Sequence, residues 1–170
     1  MTPNDYIAAM AHHVSSVCVV TTEWDGERFG LTATAVASVS ADPPRLLVCL
    51  NKAGLTHEKL RASGLFGVNV LAEGQDPVAT AFAMKMGSAE RFRVGVWGRL
   101  ETGAPILEGA AAAFDCRVGE LSDQSTHTVF FGDVVACSHR SGQDTLLYGA
   151  RRYRQLRKAF AGLSGDNDYL

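Results

Sequence analysis

The sequence predicts a mainly β protein with antiparallel strands, and two observations support this. Short runs rich in Val, Leu and Thr, bounded by Pro and Gly, recur along the 170 residues and are typical of strands. These runs outnumber the helical stretches and do not alternate regularly with them, which argues against a doubly wound parallel sheet. Closing such strands into a barrel would also remove exposed sheet edges. We expect a single domain over residues 1–170.

The first third of the chain reads as a helix followed by a meander of strands. Thr2 can cap a helix, since Pro3 stands at its first position and Asp5 in its first turn, and we expect the helix to end near His12 or His13. Asp25–Gly26 is a hairpin signal. The strands expected here cover residues 16–22, 27–34 and 46–50, with a break at Pro43–Pro44.

The remainder adds two helices and several strands. Helices are expected from residue 55, with Thr56 as the cap, and over residues 75–86. Strands are expected over residues 65–71, 111–121, 128–137 and 145–148. In the second of these, Phe114, Cys116 and Val118 alternate with Asp115, Arg117 and Gly119, which predicts a half-buried strand. The strand over 128–137 is apolar on both faces and should be central. Residues 151–160 are basic and could form a helix, and residues 164–170 are expected to fray.

The stretch over residues 30–56 is the first candidate for a ligand site. Small residues accompany hydroxyls at Thr32, Thr34 and Ser38, which leaves room for a flat ring against the backbone. The loop from Asn51 to Thr56 could bind an anion through successive backbone N–H groups. The alternative is two ordinary strands and a turn, because small residues are common where strands pack closely.

Composition and motifs exclude several classes of protein. The net charge of −2 and the lack of a basic cluster argue against a nucleic-acid or membrane-surface role. The start of the chain has no signal-peptide pattern, and no apolar run is long enough for a membrane span, so we expect a cytoplasmic protein. No Rossmann, P-loop or hydrolase motif occurs. The four cysteines are expected to be core residues (Cys18, Cys49, Cys116 and Cys137).

The histidines do not predict a metal site. No pair has metal-ligand spacing on a helix face. His12, His13 and His139 are expected in solvent-exposed positions, whereas His57 follows the candidate anion loop and His127 opens the central strand. A structural role is the alternative for His127. We therefore predict no metal.

An ordered set of short motifs along the chain resembles the short-chain flavin reductases, the reductase partners of two-component flavin monooxygenases such as the 4-hydroxyphenylacetate system. The matching pieces are GLTATA from Gly30, SVS from Ser38, Pro43–Pro44, LVCLN from Leu47, VNVL from Val68, ERF from Glu90, Thr126–His127, LLY from Leu146 and Arg152–Tyr153. The similarity runs from about Tyr6 to Leu156, so it covers nearly the whole chain.

The resemblance implies a six-stranded antiparallel split barrel with flanking helices, the FMN-binding split barrel, assembled as a homodimer. It also implies an NAD(P)H:flavin oxidoreductase that transfers hydride from NADH or NADPH to FMN or FAD and supplies a partner monooxygenase. Such a reaction needs little acid–base help from side chains, because the cofactors carry the chemistry. The alternatives are a flavin-binding electron carrier or storage protein without turnover, and an enzyme resembling pyridoxamine-phosphate oxidase on the same barrel.

The expected site residues form two groups. The flavin ring would lie along residues 32–38, and its phosphate would meet the loop within residues 49–56. In the family, the Arg-Phe pair that corresponds to Arg91–Phe92 lies near the flavin. These flavin residues are Thr32, Ala33, Thr34, Ala35, Ser38, Cys49, Leu50, Asn51, Lys52, Thr56, His57, Arg91 and Phe92. In the family the histidine at this point faces the flavin ring and the nicotinamide, so the resemblance makes His127 the catalytic candidate. Tyr148, Arg151 and Arg152 would bind the nicotinamide cofactor, the arginines through guanidinium forks suited to a diphosphate. A solvated charged face is the alternative for these arginines.

Overall fold

A computed structural model describes residues 1–156 and confirms the mainly β, antiparallel prediction. In chain order the elements are α1 (Pro3–Met10), β1 (Ser15–Ser16), β2 (Cys18–Trp24), β3 (Glu27–Ala33), β4 (Val36–Ala41), β5 (Pro44–Asn51), α2 (Leu55–Ser63), β6 (Leu65–Val70), α3 (Asp76–Ala83), α4 (Ser88–Arg91), β7 (Trp97–Arg99), β8 (Pro105–Leu107), β9 (Ala112–Asp123), β10 (His127–His139), β11 (Leu147–Gly149) and β12 (Arg152–Arg154).

Seven strands form one antiparallel sheet in the order β3-β2-β6-β9-β10-β5-β4. Its two edge strands, β3 and β4, follow each other in the chain and are joined only by Thr34 and Ala35. So short a connection brings the two edges together, which means that the sheet curls on itself. No hydrogen-bonded ladder joins β3 to β4 within residues 1–156, so the seam stays open. Within the described residues this is a split barrel with seven strands in its main sheet, one more than the six expected.

Two hydrophobic cores lie on the two faces of this curled sheet. Inside the curl, side chains from β2, β5, β6, β9 and β10 meet Leu60 of α2, which is fully buried. On the other face, Val17 and Val19 pack with α3 and with an aromatic cluster of Phe82, Phe92 and Trp97. The alternation along β2, with Cys18 and Val20 in one core and Val19 in the other, is the period of two that a strand imposes.

The turn and cap signals are confirmed. Thr2 and Asp5 form a capping box at the start of α1, although the helix ends at Met10, earlier than expected. Asp25 and Gly26 both have positive φ and connect β2 to β3, as a two-residue hairpin requires. The strand over 128–137 is central, because β10 lies between β9 and β5.

Several local expectations were wrong. Gly54, not Thr56, is the N-cap of α2, and Thr56 lies inside its first turn. Asp115 is fully buried, because it accepts hydrogen bonds from the backbone N–H of Thr102 at 2.7 Å and from the Thr102 hydroxyl at 2.5 Å. Arg152–Arg154 is strand β12 rather than helix, since Ala150 and Arg151 adopt positive φ and turn the chain back. The rest of that expected helix, residues 157–160, and the frayed end at 164–170 lie outside the described residues.

The cysteine prediction holds for two of the four residues. Cys18 and Cys116 are buried, and burial raises the pKa of each thiol to about 12. Cys49, on β5, is half-buried. Cys137 is exposed, as are its neighbours Ser138 and His139 at the end of β10. No helix within residues 1–156 is both long and apolar enough to cross a membrane.

Candidate functional site

A cavity of about 780 Å³ lies between β3, the first turn of α2 and the segment that follows α3. This volume falls in the range of about 300–1,000 Å³ that is usual for small-molecule sites. The cavity is lined by Phe29, Leu31, Thr32, Gly54, Leu55, Thr56, Phe82, Ala83, Met84, Lys85, Met86, Gly87, Ser88 and Arg91. Three of the predicted flavin residues therefore meet here: Thr32, Thr56 and Arg91.

The charge of this cavity favours an anionic ligand. Lys85 and Arg91 contribute to its lining, whereas no Asp or Glu of residues 1–156 does. Arg91 donates from Nη1 to the carbonyl of Gly30 at 2.8 Å and from Nη2 to the carbonyl of Met84 at 2.7 Å. Its Nε is buried and has no hydrogen-bond partner within residues 1–156. Because neutral carbonyls are its only acceptors among the described residues, the positive charge of Arg91 is not neutralised by a carboxylate.

The first turn of α2 adds backbone donors to the same cavity. The amides of His57 and Glu58 reach the carbonyl of Gly54, at 3.0 and 3.4 Å. Those of Leu55 and Thr56 find no acceptor within residues 1–156. Free N–H groups at a helix N-terminus bind anions well, since the helix dipole adds to their own polarity. The geometry fits a phosphate at this end of the cavity.

The loop before α2 is held by its own contacts. The side-chain oxygen of Asn51 accepts from the backbone N–H of Ala53 at 2.9 Å, and the N–H of Lys52 donates to the carbonyl of Thr126 at 3.0 Å. The Lys52 ammonium lies 3.5 Å from Asp123 Oδ1. Neither Asn51 nor Lys52 lines the cavity, so in this arrangement they shape the approach to α2.

His57 lies beneath this turn rather than in the cavity. It is buried, packs edge-on against Phe130 with ring centroids 5.2 Å apart, and places Nε2 2.8 Å from the Thr128 hydroxyl oxygen. Burial, assisted by the nearby Arg61, lowers the pKa of His57. The hydrogen bond from Thr128 and the Arg61 guanidinium lower the pKa of Asp123 from 3.8 to about 2. At neutral pH this group holds a neutral imidazole and an ionised carboxylate.

A second cavity, of about 490 Å³, is lined in part by Thr34 and Ser38. Its interior is apolar, with Cys18, Val36 and Phe114 in the lining. Among residues 1–156, Arg45 is the only arginine in its lining, and it is paired with Asp133 at 2.5 Å. The predicted ring-binding segment is thus divided, because the chain crosses the barrel seam at Thr34 and Ala35. Thr32 faces one cavity, while Thr34 and Ser38 face the other.

His127, the catalytic candidate, opens β10 beside β5, the strand that leads into the α2 loop. It pairs with Asn51 in the β10–β5 ladder, is half-buried, and has Nδ1 2.8 Å from the Thr126 hydroxyl. The nicotinamide candidates lie on another small sheet, β1-β11-β12. Tyr148 stacks edge-on with Tyr153, while Arg151 and Arg152 are exposed at the turn. Within residues 1–156, no hydrogen bond joins His127 to that turn.

The other predicted residues contribute mainly to the scaffold. Leu50 is 1% exposed inside the barrel, Phe92 is 5% exposed in the aromatic cluster, and Cys49 lies on the face of β5 opposite to Leu50. The carbonyl of Ala35 accepts from the backbone N–H of Cys49, and Ala33 pairs with Cys18. No group of three or more His, Cys, Asp or Glu side chains within residues 1–156 is arranged to hold a metal ion.

Sequence reasoning missed Lys85, Ser88 and Asp123. Lys85 and Ser88 follow the end of α3, and only the fold shows that this segment turns back over β3. Asp123 ends β9, five residues before Thr128, and a hairpin brings the two side chains together. For Lys85 and Ser88, the local signal in the sequence was the pair of small residues Gly87–Ser88 after an amphipathic helix, which is typical of a turn.

Comparison with known proteins assigns this architecture to a family. The model of the flavin reductase like domain matches residues 10–157. The chain is 46% identical over 151 residues to an FMN reductase (NADH) of Methylorubrum extorquens, covering 89% of this chain and 88% of the relative. The curled barrel with its cationic cavity thus defines a flavin reductase-like protein, and the chain belongs to the flavin reductase like domain family.

Solved structures share the fold over almost the whole chain. The NADH:FAD oxidoreductase of Streptomyces globisporus C-1027, in complex with NAD and FAD fragments, has a TM-score of 0.86 and 30% identity, with 94% of this chain and 97% of that one covered. The styrene monooxygenase flavin reductase of Pseudomonas putida has a TM-score of 0.81 and 30% identity, with 90% and 97% covered. The predicted resemblance to flavin reductases is confirmed.

Proposed function

We propose that this chain is an NADH-dependent flavin reductase that reduces FMN and supplies the reduced flavin to a partner monooxygenase. The observation that carries the proposal is the cationic cavity at the first turn of α2, in a chain of this family. The name of the Methylorubrum relative supports NADH and FMN as the reactants. The role of the Pseudomonas protein as a styrene monooxygenase flavin reductase supports the partner.

The residues divide the work of binding. The free amides of Leu55 and Thr56, with the Thr56 hydroxyl, bind the flavin phosphate, while Lys85 and Arg91 neutralise its charge. Phe29 and Leu31 give the same cavity an apolar wall that excludes water. Thr32 donates its hydroxyl to the carbonyl of Ala79 at 2.6 Å, so it holds α3 against β3 and fixes the cavity width.

The second group of residues serves the nicotinamide cofactor. His127 orients the nicotinamide at the open end of β5 and β10, and Tyr148, Arg151 and Arg152 bind the rest of NADH. When bound, the flavin supplies the redox chemistry by accepting a hydride from NADH. The chain's own contribution is to position the two partners and to exclude water, and this explains why no catalytic acid–base pair is needed.

The proposal includes a homodimer. Helix α1 buries none of its residues, and Tyr6, Ile7 and Met10 are 56%, 51% and 46% exposed on it. Val135 is also exposed, on the far half of β10. Apolar faces of this kind indicate a protein–protein contact, and a second copy of the chain would cover them.

The direct test is NADH consumption by the purified chain with FMN, FAD or riboflavin as acceptor. We expect FMN-dependent NADH oxidation well above the rate without protein. Binding of FMN with no oxidation of NADH or NADPH would instead support a carrier or storage protein.

A further inference from the structure

Asp123 gathers polar contacts from three separate parts of the chain. It accepts a hydrogen bond from the Thr128 hydroxyl at 2.7 Å on β10. It contacts Arg61 of α2 through both carboxylate oxygens, at 3.2 and 3.3 Å. It also lies 3.5 Å from the Lys52 ammonium in the loop before α2. The carboxylate therefore ties the end of β9 to β10, to α2 and to the loop that leads into α2.

The hydrogen-bond directions in this group fix the tautomer of His57. A threonine hydroxyl has one proton, and Thr128 gives it to Asp123, which is ionised and can only accept. The contact of 2.8 Å between His57 Nε2 and the Thr128 oxygen must then be a donation by the imidazole. His57 is thus the Nε2–H tautomer, and Thr128 passes the orienting effect of Asp123 to it.

Asp123 consequently holds α2 at two points one turn apart. His57 is held through Thr128, and Arg61, four residues later on the same face, is held directly. Thr56, next to His57, carries its hydroxyl and its free amide into the cationic cavity. Fixing His57 and Arg61 therefore sets the position of that turn along the axis of α2 and its rotation about that axis.

We propose that Asp123 is a positioning residue that acts through Thr128, His57 and Arg61 to set the first turn of α2 for the ligand phosphate. This rests on the proposed function, which places the phosphate at that turn. The carboxylate itself stays outside the cavity. Since the ion pairs of Asp123 are about half exposed, they contribute little to global stability, and the effect of Asp123 is on binding geometry.

The test compares FMN with riboflavin, which lacks the phosphate, by fluorescence titration of the full chain. Asp123→Asn removes the charge, Thr128→Val removes the relay with little change in shape, and Thr128→Ser keeps the hydroxyl. Asp133→Asn is the matched control, because Asp133 is a carboxylate of the same sheet that pairs with Arg45 instead. We expect the first two variants to lose about tenfold in FMN affinity, about 1.4 kcal/mol, with riboflavin affinity unchanged. Thr128→Ser and Asp133→Asn should match the wild type.

A nitrogen NMR spectrum of the His57 ring gives a second readout that a merely structural role would not move. We expect the Nε2–H tautomer in the wild type and a changed tautomer population in Thr128→Val. If Asp123→Asn and Thr128→Val keep the wild-type ratio of FMN affinity to riboflavin affinity, because neither affinity changes or both fall equally, the proposal is overturned. If the wild type does not oxidise NADH with FMN, the proposed function fails, and the NMR spectrum still decides whether Thr128 orients His57.

Discussion

At the scale of single residues, Thr56 is the side chain on which the proposed phosphate site depends most. It is 5% exposed, lies in the first turn of α2 and faces the cavity whose lining includes the cationic side chains of Lys85 and Arg91. The sequence proposed Thr56 as an anion ligand, because a hydroxyl after a small polar loop suits an anion, and that role stays a prediction. The place of Thr56 inside the first turn was not predicted, because the sequence indicated Thr56 itself as the N-cap and the structure has Gly54 there.

Replacing Thr56 by Asp should weaken FMN binding by at least about tenfold, because a carboxylate would face the phosphate. The affinity of Thr56→Asp for riboflavin should fall much less. Thr56→Val is similar in shape to the wild type and uncharged, so its FMN affinity should lie between those of the wild type and Thr56→Asp. Fluorescence titration measures all of these affinities. Unchanged FMN affinity in a folded Thr56→Asp variant would remove the phosphate from this turn.

His127 and His139 stand at the two ends of β10 and provide a matched pair. His127→Ala should lower kcat/KM for NADH by about tenfold, about 1.4 kcal/mol, while flavin affinity stays nearly intact. A rise in KM alone would indicate contacts made equally in the ground and transition states, and a fall in kcat would indicate lost alignment.

His139→Ala is the control, because His139 is exposed at the far end of the strand. Steady-state kinetics with varied NADH separates the two variants. Wild-type kcat and KM in His127→Ala would place the nicotinamide site elsewhere.

At the scale of elements, α2 connects the barrel core to the site. Leu60 is fully buried inside the barrel on one side of the helix, while Leu55 is 55% exposed at its start. A capping signal predicted a helix in this segment, but not which residues it buries. The burial depends on how far the sheet curls, and that is set by pairings between strands that are distant in sequence.

Leu60→Ala should therefore lower the free energy of unfolding by about 2–5 kcal/mol, because it leaves a cavity in the core. Leu55→Ala on the same helix should change it by no more than about 0.5 kcal/mol. Urea denaturation followed by circular dichroism gives both values. Equal effects of the two substitutions would contradict the packing of α2 against the barrel.

The C-terminal hairpin shows where local sequence signals fail. Residues 151–154 are basic and helix-competent by composition, yet Arg152–Arg154 pairs with β11 as a strand. Positive φ at Ala150 and Arg151 makes the turn, and neither residue type signals that conformation. Pairing across the hairpin overrides the intrinsic preference of the segment.

At the scale of the whole molecule, strand patterns predicted the antiparallel class, and the family resemblance supplied the split barrel. Neither the strand patterns nor the resemblance predicted that the expected ring-binding segment, residues 32–38, would be divided between two cavities. The division follows from the seam between β3 and β4, where Thr34 and Ala35 cross from one edge of the sheet to the other. A sequence pattern reports which residues alternate, but not where a sheet closes.

The homodimer is the prediction that belongs to this scale. Sedimentation at micromolar concentration should give about twice the chain mass of 18.2 kDa. Ile7→Glu, on the exposed face of α1, should shift the population toward monomer, because it places a charge in an apolar contact. Sedimentation of the wild type as a monomer of 18.2 kDa would contradict the dimer.

The central claim is that the cationic cavity of this barrel binds FMN for reduction by NADH, and an anaerobic mixing experiment tests it most directly. The purified chain is mixed with FMN and NADH without oxygen, and the absorbances of oxidised flavin and of NADH are followed together. We predict that both fall at the same rate, with one NADH consumed per flavin reduced, and that the rate scales with protein concentration. Flavin bleaching no faster than in a mixture without protein, although FMN binds, would contradict the claim.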